Sequence, residues 1–218
     1  MIDIVAESSQ VNINNCVFKG FPGVVIFNKS NGRHNKENHS IIIGNEFHYC
    51  KIGIYQLEEF SRLAHNVFQG CVIGVAYAVS NISSLDNKFL SCDVGVYIGK
   101  NTDCYGTIQS STFVHCGIAS IFAHLIPRTG VNVNDCFIYQ APIICKEAYA
   151  LSFCNNKLNT YFIIEKGAKC RIMMNMMQKT YAIADGIENI YDVPADTEIS
   201  LNRAVLSSDN DANYNRES

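Results

Sequence analysis

Apolar positions in this chain follow two nested periods. On the short scale, β-branched pieces such as SIIIG (residues 40–44) and GVYI (residues 95–98) are too brief for helices and read as strands bounded by turns. On the long scale a whole phrase returns. NEFHYCKIGI begins at Asn45, NVFQGCVIGV at Asn66 and NKFLSCDVGV at Asn87, an interval of 21 residues. With the aromatic residue as reference, equivalents fall at Phe18, Phe47, Phe68, Phe89, Phe113, Phe137 and Leu158, in steps of 29, 21, 21, 24, 24 and 21 residues.

A repeat of that length marks a solenoid, because each unit is too small to bury its apolar face alone and must stack on its neighbours. Leucine-rich repeats would show a leucine consensus and a helical piece in every turn. Here the consensus is Asn, Phe, Cys, Gly and β-branched residues, which predicts an all-β chain with one coil per repeat and coils about 4.8 Å apart. Phe would stack inward. The Asn two residues earlier, tolerant of left-handed backbone and able to bond its own bend, would form a corner. Gly53, Gly74 and Gly95 would form the next corner through backbone permissiveness.

Cys50, Cys71, Cys92 and Cys116 each follow the aromatic by three residues, which places them in a buried column. Stacking at about 4.8 Å exceeds the Cβ separation of about 3.5–4.5 Å in a disulfide, so the thiols should be free. Among the 10 cysteines no paired Cys-x-x-Cys spacing points to zinc. Reduced cysteines imply assembly in a cytoplasm.

The Asn-x-Phe-x-x-Cys-x-x-Gly-(Ile/Val) phrase resembles the coil of right-handed parallel β-helices of the pectate-lyase-like superfamily, over about residues 10–177. Bacteriophage tailspikes, which bind and often cut bacterial surface polysaccharides, are prominent members. The Arg- and Asp-rich active-site strings of pectate lyases and polygalacturonases do not occur. The resemblance implies a single right-handed parallel β-helix of about seven to eight coils, each of 21–24 residues. It also implies attachment to a bacterial polysaccharide from a virion tail, hydrolase or lyase activity on capsule or O-antigen if the chain is catalytic, and a homotrimer; no cofactor or metal is expected. A non-catalytic β-helix scaffold or adhesin that contacts proteins is the alternative.

The repeat organises residues 1–177 into the β-helix, leaves 178–206 as a cap or terminal layer, and ends in a polar tail, 207–218. Residues 1–17 read as another coil with no capping helix, so the chain is expected to be part of a longer polypeptide or to have that end covered by a partner. Asp209, Asp211 and Asn213 start like a calcium loop, but Tyr214 stands where that loop requires Gly.

Composition narrows the rest. Charged residues make up 17% of the 218 and the formal net charge is −3, which gives no global footprint for nucleic acid or an anionic membrane. No apolar run reaches membrane-spanning length, and MIDIVAESSQ does not read as a signal peptide. There is no Gly-x-Ser-x-Gly elbow, phosphate loop or His-Glu-x-x-His.

Chemistry must therefore come from residues extruded off the coil. A glycosidase needs two carboxyl groups, about 6.5–9.5 Å apart for inversion, which on a solenoid means matching positions one or two coils apart. Glu58, Glu59 and Asp103 are the catalytic candidates on this rule. The insertion NKSNGRHNKENHS, residues 28–40, carries Arg33 and Lys36 in a local positive patch suited to an acidic glycan. His124 and Arg128, followed by Lys146 and Glu147, fall near the same edge. Tyr55 and Tyr97 share a position two coils apart and read either as a sugar platform or as core aromatics. The chain has no tryptophan, the commonest sugar-stacking residue.

Overall fold

A computed structural model gives the architecture. It describes residues 1–6, 11–30, 40–56, 61–78, 81–99, 104–126, 129–148, 151–164, 170–179, 198–200 and 203–206. The regular elements among them are all strands, gathered into three sheets of eight, nine and nine strands, here A, B and C. One coil shows the plan: Arg62–Ala64 lies in sheet B, Val67–Gln69 in sheet C and Ile73–Tyr77 in sheet A. Each strand pairs in parallel with its counterpart one coil away, as Ile73–Tyr77 does with Val94–Gly99 and Ile52–Gln56. The chain is an all-β parallel solenoid.

Seven of the nine sheet C strands are three residues long, and a left-handed residue bends the chain on both sides of most of them. His65 (φ 55°) and Gly70 (φ 61°) bracket Val67–Gln69, and Asp86 (φ 49°) and Ser91 (φ 52°) bracket Lys88–Leu90. These corners correct the expectation for the repeated Asn. The left-handed residue is the one before it: Gly44, His65, Asp86 and Asn155 precede Asn45, Asn66, Asn87 and Asn156.

The asparagines themselves are fully buried and bond between coils. Asn66 Nδ2 donates to the Ile42 carbonyl at 2.9 Å and to Asn87 Oδ1 at 3.0 Å. Its own Oδ1 accepts from the backbone N–H of Asn45 at 3.0 Å and from Asn45 Nδ2 at 3.1 Å. Four strong bonding positions are satisfied in a dry interior, where any left open would be costly. Ser111 continues the column by accepting from the Asn87 N–H, and Asn156 and Asn175 resume it after Cys136. The bonds run between residues 29 apart at Cys16–Asn45 and 19 apart at Asn156–Asn175, so coil length varies more than the expected 21–24.

The aromatic column is equally axial. Ring centroids are 5.1 Å apart for Phe18–Phe47, 4.8 Å for Phe47–Phe68, 5.0 Å for Phe68–Phe89 and 4.7 Å for Phe89–Phe113, so ring spacing tracks strand spacing. Phe113 is followed in register by Ile138, not Phe137. Shifting a strand by one residue exchanges its faces, and Phe137 accordingly points outward with 41% of its surface exposed.

Gly53, Gly74 and Gly95 also differ from expectation. None has a left-handed φ; a Cβ on Gly74 would sit 2.7 Å from the Phe89 ring and 2.7 Å from the Gly95 carbonyl oxygen. Gly53 stands in the same relation to Phe68, and Gly95 to Phe113. The glycine makes room for the phenylalanine of the following coil.

The cysteines complete the pattern. Cys71 Sγ donates to the Phe47 carbonyl of the preceding coil at 3.4 Å, and Cys92 Sγ to that of Phe68 at 3.5 Å. The nine described cysteines are free, and of these only Cys16 and Cys154 are not buried. Burial pushes the thiols of Cys116 and Cys136 up to about 12. The bond shared with Cys71, together with burial, holds Cys92 protonated.

At the C-terminal side, Glu198–Ser200 and Arg203–Leu206 add the last strands of sheets B and C. The remainder of the expected cap beyond Lys179, and all of the tail, lie outside the described residues.

Replacing Asn66 by Ala leaves the Asn45 backbone donor without its acceptor and should cost at least about 3 kcal/mol in chemical denaturation. Lys88→Ala, on the exposed side of the neighbouring coil, should stay within about 0.5 kcal/mol; equal costs would contradict the ladder. Iodoacetamide labelling read by peptide mass spectrometry should modify Cys16 and Cys154 while Cys71, Cys92, Cys116 and Cys136 react only on unfolding. The unfolded chain loses its thiol protons near the ordinary value of 9.0 while folded Cys116 and Cys136 keep theirs to about 12, so stability should fall as pH rises through that window. A flat alkaline stability profile would contradict this.

Candidate functional site

The corners joining sheet B to C and C to A are tight, as between Ala64 and Val67 or Gln69 and Ile73. The connections from sheet A to B are not held to one length. Residues 31–40 separate Val24–Ser30 from Ile41–Ile43, whereas only 127–128 separate Ala119–Ile126 from Thr129–Asn134. Because the strands are parallel and in register, every such connection leaves the same edge of sheet A.

Six of the expected site residues belong to these connections by chain position. Arg33 and Lys36 follow Val24–Ser30, Glu58 and Glu59 follow Ile52–Gln56, Asp103 immediately precedes Cys104–Gln109, and Arg128 precedes Thr129–Asn134. All six lie outside the described residues. Glu147 is the penultimate residue of a strand of sheet A, Ile143–Ala148.

Tyr55, Tyr97 and His124 are described, all half-buried on the outward face of sheet A. Pairing runs from Phe27 to Tyr55, Ala76, Tyr97, Phe122 and Ile144, so the two tyrosines stand in one column, separated by the coil of Ala76. Tyr55 stacks on Phe27 with centroids 5.4 Å apart, and Tyr97 on Phe122 at 5.7 Å. Each therefore gives one ring face to the adjacent coil. Ala76 between them is only 3% exposed, so the column has no open floor at that point.

His124 and Lys146 are in register one coil apart, at the end of sheet A from which the connections depart. The His124 ring meets Phe122 edge-on at 6.1 Å, and Lys146 Nζ lies 5.9 Å from the Phe122 centroid. An anionic or hydroxyl-bearing ligand at this edge would meet both side chains.

Two groups escape sequence reasoning. Tyr105, two residues after Asp103, has 46% of its surface exposed on the outer face of sheet B. Its neighbours in register are Asn81 on one coil and Gly130 on the next. A polar column runs beside it, Ser83 to Thr107 to Asn132 to Ser152. The strict alternation of Tyr105, Thr107 and Gln109 was the available clue, but it lacks the repeat phrase. The second group lies on the B–C corner, where His65 Nδ1 and Asp86 Oδ2 are 2.8 Å apart and Asn155 Nδ2 donates to Asp135 Oδ1 at 2.5 Å. Asp86 and Asp135 are at left-handed corners two coils apart, about 9.6 Å on the strand spacing. Aspartate is a favoured residue at such corners, and that conformational role accounts for both.

Among the described residues no group of three His, Cys, Asp or Glu side chains is placed to hold a metal ion. No protein-family model, curated protein sequence or solved structure matches the chain. Fold and site together define a class, a parallel β-solenoid whose connections vary along one edge.

Proposed function

We propose that this chain is the β-helix region of a bacteriophage tailspike or tail fibre that binds a bacterial surface polysaccharide. The observation that carries the reading is the concentration of the longest and most variable connections on one edge of the coil. A regularly repeating chain ligand is well served by a straight, stacked surface with side chains at fixed intervals of about 4.8 Å. Arg33, Lys36 and Arg128, assigned to that edge by chain position, suit acidic sugars, and His124 and Lys146 stand at the end of sheet A from which the connections leave. Glu58, Glu59 and Asp103 are the carboxylates through which a bound chain would be cut, as acid and base or nucleophile.

The outward face of sheet A favours a second reading, a scaffold or adhesin module that contacts proteins. Phe27, Tyr55, Tyr97 and Phe122 line up there without an intervening charge, and Ile163 at the end of the column is 40% exposed. Contiguous apolar surface of this kind marks association sites. A homotrimer would bury it.

Incubation with purified capsular and O-antigen polysaccharides separates the readings. The proposal expects retention of at least one polysaccharide, and a rise in reducing ends or in unsaturated-sugar absorbance if it is cleaved. Glu59→Gln and Asp103→Asn should then leave binding intact and lower cleavage by at least about a hundredfold. Absence of binding across a broad panel, together with a stable oligomer by light scattering, would transfer the case to the scaffold reading.

A further inference from the structure

We infer that Tyr105 and Gly130 form an aromatic subsite that receives the apolar face of a pyranose, a reading that rests on the polysaccharide-binding proposal and specifies one of its contacts. The outward aromatics of sheet A are stacked on rings of adjacent coils: Phe27 on Tyr55, Tyr97 on Phe122. Tyr105 is different. It makes no ring contact among the described residues, it is 46% exposed, and the coil that follows presents Gly130 at its register position.

Glycine here is not demanded by the backbone. Its φ is not left-handed, and an added Cβ would meet only the Cβ of Tyr105, at 3.7 Å, an ordinary contact. The contrast with Gly53, Gly74 and Gly95, where a Cβ would come within 2.8 Å of a phenylalanine ring, is direct. Those three glycines serve the core, while Gly130 itself adds no side chain beside an exposed ring. The space beside the ring is one coil wide, about 4.8 Å in strand spacing, the thickness of one sugar ring lying flat.

The surroundings give the ligand its class. Thr107 and Asn132, two residues along the same two strands, supply a hydroxyl and a carboxamide, and Asn81 supplies a second carboxamide on the other side. Carboxamides and hydroxyls both donate and accept, which matches sugar hydroxyls. An amphipathic ring with a polar rim is also what a tyrosine offers at a wet interface.

The test uses the whole chain with ring-labelled tyrosine, Tyr105 being assigned by Tyr105→Phe, titrated by NMR with the methyl pyranosides of glucose, galactose and mannose. The expected result is a shift of the Tyr105 ring with at least one pyranoside, retained in outline by Tyr105→Phe on the sugar protons. Gly130→Leu should weaken binding by at least about tenfold, the loss typical of a central aromatic contact, without lowering the melting temperature. A Tyr105 resonance that no pyranoside moves overturns the subsite, as does equal binding by wild type and Gly130→Leu. If a polysaccharide binds wild type and Gly130→Leu alike, the subsite falls while the polysaccharide reading stands. A Tyr105 shift with pyranosides but no retention of any polysaccharide keeps the subsite and removes the broader reading.

Discussion

Each inner side chain of this solenoid meets its counterpart one coil away, and the rest of the structure depends on that axial contact. The repeated phrase is legible only in this direction. Asn66 bonds to Asn45 and Asn87, Phe68 stacks between Phe47 and Phe89, Cys71 donates to the carbonyl of Phe47, and Gly53 clears space for Phe68. Within a single coil none of these residues has its partner. The unit cannot be stable alone, which is the expected condition of a repeat protein.

The ladder also fixes register. A slip of one residue would send Phe68 to solvent and pull Val67 and Gln69 into the core, and it would strand the buried carboxamide of Asn66 away from both neighbours. With the corner from sheet B to sheet C held in this way, and the corner from C to A changing only between two and four residues, variation in coil length falls mainly to the connection from sheet A to sheet B. Ten residues are accommodated there after Ser30 and two after Ile126. The same constraint that makes the core monotonous confines chemical diversity to one edge, and there the candidate carboxylates and cations fall.

The all-β solenoid was legible from the spacing of Phe18, Phe47, Phe68, Phe89 and Phe113 and from the cysteines three residues beyond, because large buried side chains cannot leave their column without disrupting it. The roles of the polar and small residues were less legible. Composition tables associate Asn with bends and Gly with left-handed backbone; here Asn45 and Asn66 are buried bonding groups, His65 and Tyr49 take the left-handed corners, and Gly74 answers to a ring on another coil. Phe137 attracted the count because it is aromatic, yet Ile138 holds the column. Tyr105 gave little warning, since an outward aromatic is distinguished by what its neighbour lacks, a side chain at Gly130. Arg33, Lys36, Glu58, Glu59, Asp103 and Arg128 were chosen by chain order alone, and chain order assigns all six to the A–B edge.

The most direct test of axial stacking is a double-mutant cycle on Gly74 and Phe89, residues of successive coils. Gly74→Ala forces a methyl group against the Phe89 ring, and Phe89→Leu withdraws that ring while keeping the column apolar. The account predicts that Gly74→Ala costs at least about 1 kcal/mol less in the Phe89→Leu background than in wild type. Costs that add to within about 0.5 kcal/mol would show the two side chains to be independent, and would contradict it.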